Sequence, residues 1–539
     1  MDISVVAQLA RVSRRVTRTA PAARRRLPGA DWIAVAVLLA FLPVVHDMPT
    51  MLAAPYWLDE AWVALSVRFP LTDLPVATSS TPLGWTFLLR LVPGTDHLRV
   101  VPLVFHGLSV GAAYALGRLP RWPSLRVGIV AGTVTGAAVL LLPAQQVRHD
   151  LKQYSADAAV AVGVLALTAW TEQSWSRRRL AVVAATFGGG MLFSHVTAIV
   201  APCVFGGLLL VTAIRRQWAR LLEVAVAGFV AACAATTIYL TISARARTDA
   251  MRDFWAASFP EVDELSGYLA ERADDLTPIL GAPVLLIVGL VVVGAVTLAR
   301  CSRPATAIAV LLLPVTVLVL GVTEVYPLLD PRTSHFFFVT AAAVAGIGLV
   351  GAANSAARLV GRALPGTPST VVTAAICAIL LGVFGLHNSA WYRFDGNEPG
   401  LERTPVTMMD VRSATEYVNA HRSRNDVVIL NHSAWYGFAF YSSRDEVDLV
   451  APFGNTVGWW VRMPTRSDVV MAPGTDVAGI RLGVDEALRL AGQRGGARIW
   501  LIRSFVGAEE AIAWQTVLAD YRVEQVTGGM EPVVVISER

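Results

Sequence analysis

Apolar segments recur through the first 390 residues of this chain, each about 17–22 residues long, enough to cross a hydrocarbon core of roughly 30 Å. They fall near residues 31–48, 98–117, 126–144, 156–171, 180–195, 197–214, 221–243, 280–299, 305–322, 335–353 and 369–387. Of the 539 residues, 55% are hydrophobic and 16% charged, too little charge for a soluble protein of this length. The expectation is an α-helical polytopic membrane protein of eleven spans. Three parts follow: a basic segment at 1–30, a transmembrane part at 31–390, and a mixed polar part at 391–539 long enough for a core of its own.

Arginine sets the topology. Arg11–Arg26 precede the first span, and Arg118, Arg121 and Arg126 follow the second. Further clusters stand at Arg177–Arg179, at Arg215, Arg216 and Arg220, at Arg300 and Arg303, and at Arg358 and Arg362. Every second loop is therefore basic, which by the positive-inside rule puts these loops and the N-terminus in the cytoplasm. The remaining loops, and the polar region after residue 391, then face outward, as expected for a cytoplasmic (inner) membrane protein. The four cysteines sit in or beside apolar segments and imply no disulfide framework.

The first outward loop reads "APYWLDEAWVALSVRFP" and carries Asp59 and Glu60 in a collar of Tyr56, Trp57 and Trp62. A carboxylate near the membrane surface, partly shielded from water, is basic enough to take a proton from a hydroxyl. On a helix, adjacent residues point about 100° apart, so the two acids do not form an acid–base couple across one bond. One serves as base, the other as orienting or metal-binding group. The short run Thr81–Pro93 that follows cannot span and reads as a helix at the outer face.

Two later outward loops bring cations. "PAQQVRHDLKQYSAD" holds Arg148, Asp150, Tyr154, Asp157 and Lys152, the sole lysine among 45 basic residues. A compact ammonium approaches a phosphate oxygen as a point charge. "TEVYPLLDPRTSHFFF" holds Arg332 and His335 beside Asp330. An arginine at this depth is costly unless it is paired or binds an anion. It reads either as a second phosphate ligand or as the partner of Asp330 or Glu324. His195 lies at another outward turn. The acidic stretch 245–277 reads either as a lining of the acceptor entrance or, the simpler reading, as a solvated surface helix.

The Asp-Glu pair in the first outer loop, the short Pro-containing helix after it, and the span entered through "DHLRVVPLVFHGLSVGAAYALGR" together resemble the GT-C type of integral-membrane glycosyltransferase. The likeness is to the protein-mannosyltransferase and aminoarabinose-transferase group, across roughly residues 30–390. It implies an enzyme that moves a sugar from a polyprenyl-phosphate donor to an extracytoplasmic acceptor hydroxyl on a cell-envelope glycan, lipid or protein. Asp59 would activate that hydroxyl with Glu60 as helper, and the second loop would add an acid, Asp150 or Asp157. Lys152, Arg332 and Arg148 would bind the lipid phosphate. Asp150, Tyr154, Asp157, His195 and His335 would contact substrate. Arabinose or mannose is the sugar class the resemblance implies. No cofactor is firmly implied, with a divalent metal left open, and no nucleic acid is expected as partner. A flippase for a lipid-linked glycan and a glycan ligase are the competing classes.

From residue 407 the pattern alternates helix and strand, with buried strands in "DVVIL", "ARIWLI" and "PVVVIS". This predicts a small α/β layer with a largely parallel sheet. Trp435, Tyr436, Tyr441, Trp459 and Trp460 suit either its core or sugar stacking.

Overall fold

The computed structural model describes residues 28–537 except 78–80, 145–150, 243–248, 364–367, 395–409, 443–446, 451–458, 464–465, 497 and 528–531. Each apolar run holds a helix. The order is Pro28–Ala40 with Leu42–Val45, then Val100–Arg118, Leu125–Leu140, Tyr154–Gln173, Arg177–Gly190, Thr197–Ile214 and Trp218–Thr241. Val284–Arg300, Pro304–Val322, His335–Ala363 and Ser369–His387 follow. Among the described residues seven helices are long and apolar enough to cross a membrane, or up to eight with one bent pair. The chain is thus a multi-pass membrane protein, but the expected eleven spans are not all matched: Leu125–Leu140, for example, is shorter than a full crossing.

The bent pair is Leu265–Leu280 and Val284–Arg300, which meet at 78°. Gly281 makes the corner. Its φ is +69°, and a Cβ there would lie 2.6–2.8 Å from Pro143 and Asn388, so glycine is required on both counts. Close helix approach uses the same residue type: a Cβ on Gly348 would stand 2.0 Å from the Leu290 carbonyl oxygen.

The sheet-bearing region forms a five-stranded sheet in the order β4-β1-β5-β7-β6, and β2 pairs separately with β3. The strands are β1 (Val427–Leu430), β2 (Asp448–Val450), β3 (Trp460–Arg462), β4 (Val469–Met471), β5 (Ile499–Ile502), β6 (Arg522–Gln525) and β7 (Val534–Ser537). β1 runs parallel to β4 and β5, whereas β7 is antiparallel to both β5 and β6. The sheet is mixed, not largely parallel as expected. Helices Val477–Gln493 and Ala508–Leu518 supply Ile480, Val484, Trp514 and Val517 to the core on one sheet face.

Helix Leu58–Ser66, from the first loop, packs into the core on the other side. Ala61, Val63, Ala64 and Leu65 are buried in one cluster with Phe438, Phe440 and Trp459. Helix His432–Tyr441 lies against it: the Tyr56 amide donates to the Tyr441 hydroxyl, and Arg68 Nη1 donates to the Phe440 carbonyl at 3.0 Å. Trp62 sits 5.7 Å from Trp459, ring to ring. The loop helix and the α/β region therefore share one hydrophobic core.

Glu60 holds this helix in place. At its third position it accepts from the Trp57 amide at 3.4 Å, where acidic side chains also favour the helix dipole. Its carboxylate pairs both oxygens with Arg99, Oε1 at 2.7 Å from Nε. Arg99 in turn donates to the carbonyls of Met51, Ala54 and Pro55 at 2.6–2.7 Å. Both side chains are almost fully buried, at 3% and 2% exposure, so neither charge tolerates losing the other. Glu60→Gln is expected to destabilise the protein by about 3–5 kcal/mol, measured by denaturant unfolding in detergent, and a Glu60→Leu/Arg99→Met double variant to recover most of that loss.

Candidate functional site

Three segments far apart in the chain deliver the candidate site. Asp59 is the second residue of helix Leu58–Ser66, one position from Glu60, and the helical turn sends it to other partners. Its Oδ2 accepts from Lys152 Nζ at 2.8 Å and from Arg332 Nη1 at 2.8 Å. The carboxylate is 14% exposed, enough for a small group to reach it but too little for full hydration. Aromatic rings back both cations. Trp62 lies 5.6 Å from the Lys152 ammonium, and Trp57 lies 5.5 Å from the Arg332 guanidinium carbon.

Lys152 is placed by the short helix expected within Thr81–Pro93, which runs from Leu83 to Arg90. Trp85, wholly buried in it, donates its indole N–H to the Leu151 carbonyl at 2.6 Å. The Gly84 amide donates to the Leu192 carbonyl at 2.7 Å, and a Cβ on Gly84 would lie equally close to that oxygen. The helix thus clamps the loop before Tyr154–Gln173 against the turn before Thr197–Ile214.

Arg332 is placed by a tight turn. Asp330 Oδ1 accepts from the backbone amides of Arg332 and Thr333 at 3.1 and 2.8 Å, so this acid shapes the turn. Glu324 pairs with Arg252. Both counter-ions considered from sequence are engaged elsewhere, and the Arg332 guanidinium reaches Asp59. The acidic stretch braces the same loop, since the Leu328 amide donates to the Ser258 carbonyl at 2.9 Å and the Tyr268 hydroxyl to the Leu328 carbonyl at 2.5 Å.

The other expected residues divide. Tyr154 and Asp157 are buried in the first turn of Tyr154–Gln173, Asp157 beside Ser194 and the Val196 amide. His195 occupies that turn half-buried, and desolvation pushes its imidazole down to about 4. The Tyr326 hydroxyl donates to the Thr333 carbonyl at 2.6 Å, within the Arg332 loop. His335 is buried at the head of His335–Ala363. Arg148 and Asp150 lie outside the described residues. Among the described residues no group of three or more His, Cys, Asp or Glu side chains is placed to hold a metal ion. An apolar cavity of about 790 Å³ opens among Leu142, Leu286, Leu349, Leu381 and Phe384; its lining suits a hydrocarbon chain and includes none of Asp59, Lys152 or Arg332.

Sequence reasoning did not assign Arg99 or Trp85. Arg99 had a signal, a charge at the head of an apolar span, which is costly unless paired. Trp85 had none, because nothing local distinguishes a buried indole that donates to a distant carbonyl.

No family model matches the chain, and no curated protein matches it in sequence. Solved structures share its fold. ArnT from Cupriavidus metallidurans bound to undecaprenyl phosphate matches with a TM-score of 0.53 at 14% identity, over 95% of this chain and 98% of that one. The apo state of the same protein matches at 0.51 and 14%, over 94% and 98%. The archaeal oligosaccharyltransferase AglB from Archaeoglobus fulgidus, in complex with an inhibitory peptide and a dolichol-phosphate, is more remote, at 0.48 and 9%, over 88% and 69%. The chain has the GT-C fold that its first outer loop resembled.

Burial pushes the Asp59 carboxyl up, but the charges and hydrogen bonds of Lys152 and Arg332 outweigh it and hold the group below its usual range. A folded value below the unfolded value of about 3.9 means that this cluster stabilises fully above that pH and loses its contribution as pH falls through the folded value. Asp59→Asn is therefore expected to flatten the stability-versus-pH curve below about pH 4, as followed by thermal unfolding across an acid series.

Proposed function

We propose that this chain is an inverting glycosyltransferase that takes a sugar from a polyprenyl-phosphate donor and places it on an extracytoplasmic acceptor hydroxyl. The observation that carries the reading is the meeting of Lys152 and Arg332 on one oxygen of Asp59. Two cations aimed at one point suit a phosphate oxygen as well as a carboxylate oxygen. The undecaprenyl phosphate held by ArnT, on the same fold, supports a lipid phosphate as that anion.

The chemistry follows from competition for the two cations. Clamped between them, Asp59 is a weak base. A donor phosphate that draws off Lys152 and Arg332 leaves a mostly buried carboxylate less compensated, and its proton affinity rises. The acceptor oxygen then attacks the anomeric carbon while its proton passes to Asp59. The bond from that carbon to the phosphate oxygen breaks, and the charge left on the lipid phosphate stays with Lys152 and Arg332. Direct displacement inverts the anomeric centre. Glu60, with both oxygens on Arg99, serves by fixing the helix that aims Asp59. Tyr154, Asp157 and the turn at His195 form the polar layer behind Lys152, and His335 follows Arg332; these are the groups that would meet the sugar.

The arginine-rich loops support a reading with the N-terminus in the cytoplasm and the α/β region outside, at the cytoplasmic membrane. With no nucleotide supply on that side, the activated sugar arrives on a lipid.

The test uses purified protein and radiolabelled polyprenyl-phosphate arabinose and mannose. Asp59→Asn is expected to lower transfer by about 10²–10⁴-fold while keeping polyprenyl-phosphate binding. Lys152→Met and Arg332→Met are expected to weaken that binding. Normal transfer by Asp59→Asn would remove its role as base, and lipid movement across vesicles without transfer would favour a flippase.

A further inference from the structure

The chain leaves β1 through helix His432–Tyr441 towards β4, on one side of β1, and leaves β5 through helix Ala508–Leu518 towards β7 and β6, on the other side. The point between β1 and β5 is thus a topological switch in the sheet. In open α/β sheets the crevice outside the carboxyl ends of strands at such a point is the usual seat of a ligand.

That crevice is held rigid and edged with rings. Asn431, directly after β1, donates Nδ2 to the Ser504 carbonyl at 2.9 Å and to Glu510 at 3.0 Å, and accepts from the Ser504 amide at 3.1 Å. His432 and Phe505 directly follow this locked pair. The His432 side is continued by Trp460, whose ring is 5.3 Å away and stacks on buried Trp435 at 6.0 Å and 16°. The Phe505 side is continued by Trp57, 6.3 Å away, and Trp57 lies over Arg332. A row of aromatic side chains therefore runs from the switch point to the Asp59 site.

Two features separate this row from ordinary core packing. Of the aromatic residues that the sequence singled out, Trp435, Tyr436 and Trp459 are buried and Tyr441 bonds to Tyr56, whereas Trp460 stays partly open. Phe505 is 42% exposed and sits at φ +51°, a left-handed conformation costly for a bulky residue and found where function demands it. His432 is open to solvent, yet desolvation by its surroundings pushes its imidazole down, as expected on the wall of a crevice.

We propose that Trp460, His432, Phe505 and Trp57 form a carbohydrate subsite that holds the acceptor glycan, with sugar rings laid along the aromatic row and the terminal hydroxyl over Asp59. This rests on the glycosyltransferase reading above. The apolar C–H face of a sugar ring stacks on an aromatic face, while imidazole and indole N–H groups reach its hydroxyls. The row belongs to the acceptor because the donor phosphate would sit on Lys152 and Arg332, and the rings lead away from that point into the α/β region.

The experiment is binding without turnover. Full-length protein in detergent is titrated with linear mannose and arabinose tetrasaccharides, followed by saturation-transfer NMR, and separately with undecaprenyl phosphate. Phe505→Gly removes the ring at a backbone geometry that glycine prefers, so the fold is kept. That variant and Trp460→Ala are expected to weaken binding of one tetrasaccharide by about 3–10-fold per lost ring, with undecaprenyl phosphate binding unchanged and Trp460→Phe keeping most of the affinity. Failure of both tetrasaccharides to bind the unaltered protein, or equal binding by Phe505→Gly and Trp460→Ala, would overturn the subsite. If the rings matter for binding but Asp59→Asn still transfers sugar, the subsite stands and the assigned base falls.

Discussion

One carboxylate oxygen with two cations on it organises this protein. Asp59 comes from the loop helix Leu58–Ser66, Lys152 from the segment just before Tyr154–Gln173, and Arg332 from a loop 273 residues after Asp59, so closing the cluster fixes three otherwise independent connections at a single point. Partial burial makes the arrangement obligatory, since any one of the charges alone would pay a desolvation cost that only the others offset. The braces around it serve the same end. Trp85 sets the Lys152 loop from behind, and Asp330 winds the turn that aims Arg332.

Asp59 and Glu60 show how one residue step along a helix separates two kinds of work. Asp59 is partly exposed, and its partners reach it on long side chains that are themselves partly open to solvent. Glu60 is closed off with Arg99, whose remaining donors are spent on the carbonyls of the preceding turn. The first pair of bonds is exchangeable and the second is not.

Much of this was legible in the residues. The run lengths gave the membrane helices, and the lone lysine and the deep arginine expected to hold a phosphate are the two cations that meet at Asp59. What was not legible has physical reasons. Helix length at the bilayer is a matter of packing and tilt, so Leu125–Leu140 falls short of the span its hydropathy suggested. Strand direction is not written in an apolar run: "PVVVIS" suits a central strand either way. The Gly-Gly in "VTGGMEP" between β6 and β7 was the hairpin signal that would have made them antiparallel. Most of all, no local pattern reveals that an amphipathic helix near residue 60 belongs to a core built by residues beyond 410, because that partnership exists only in three dimensions.

That shared core has a consequence for biogenesis. Helix Leu58–Ser66 leaves the ribosome early, but Phe438, Phe440 and Trp459, which enclose it, are made some 370 residues later. Until they reach it, the helix has only the earlier members of its cluster, Trp85, Leu89, Leu98 and Leu151 among them, as apolar cover. Full enclosure of the helix that carries Asp59 thus waits for the sheet-bearing portion, so a chain halted just after residue 387 carries every described membrane helix yet lacks part of this core.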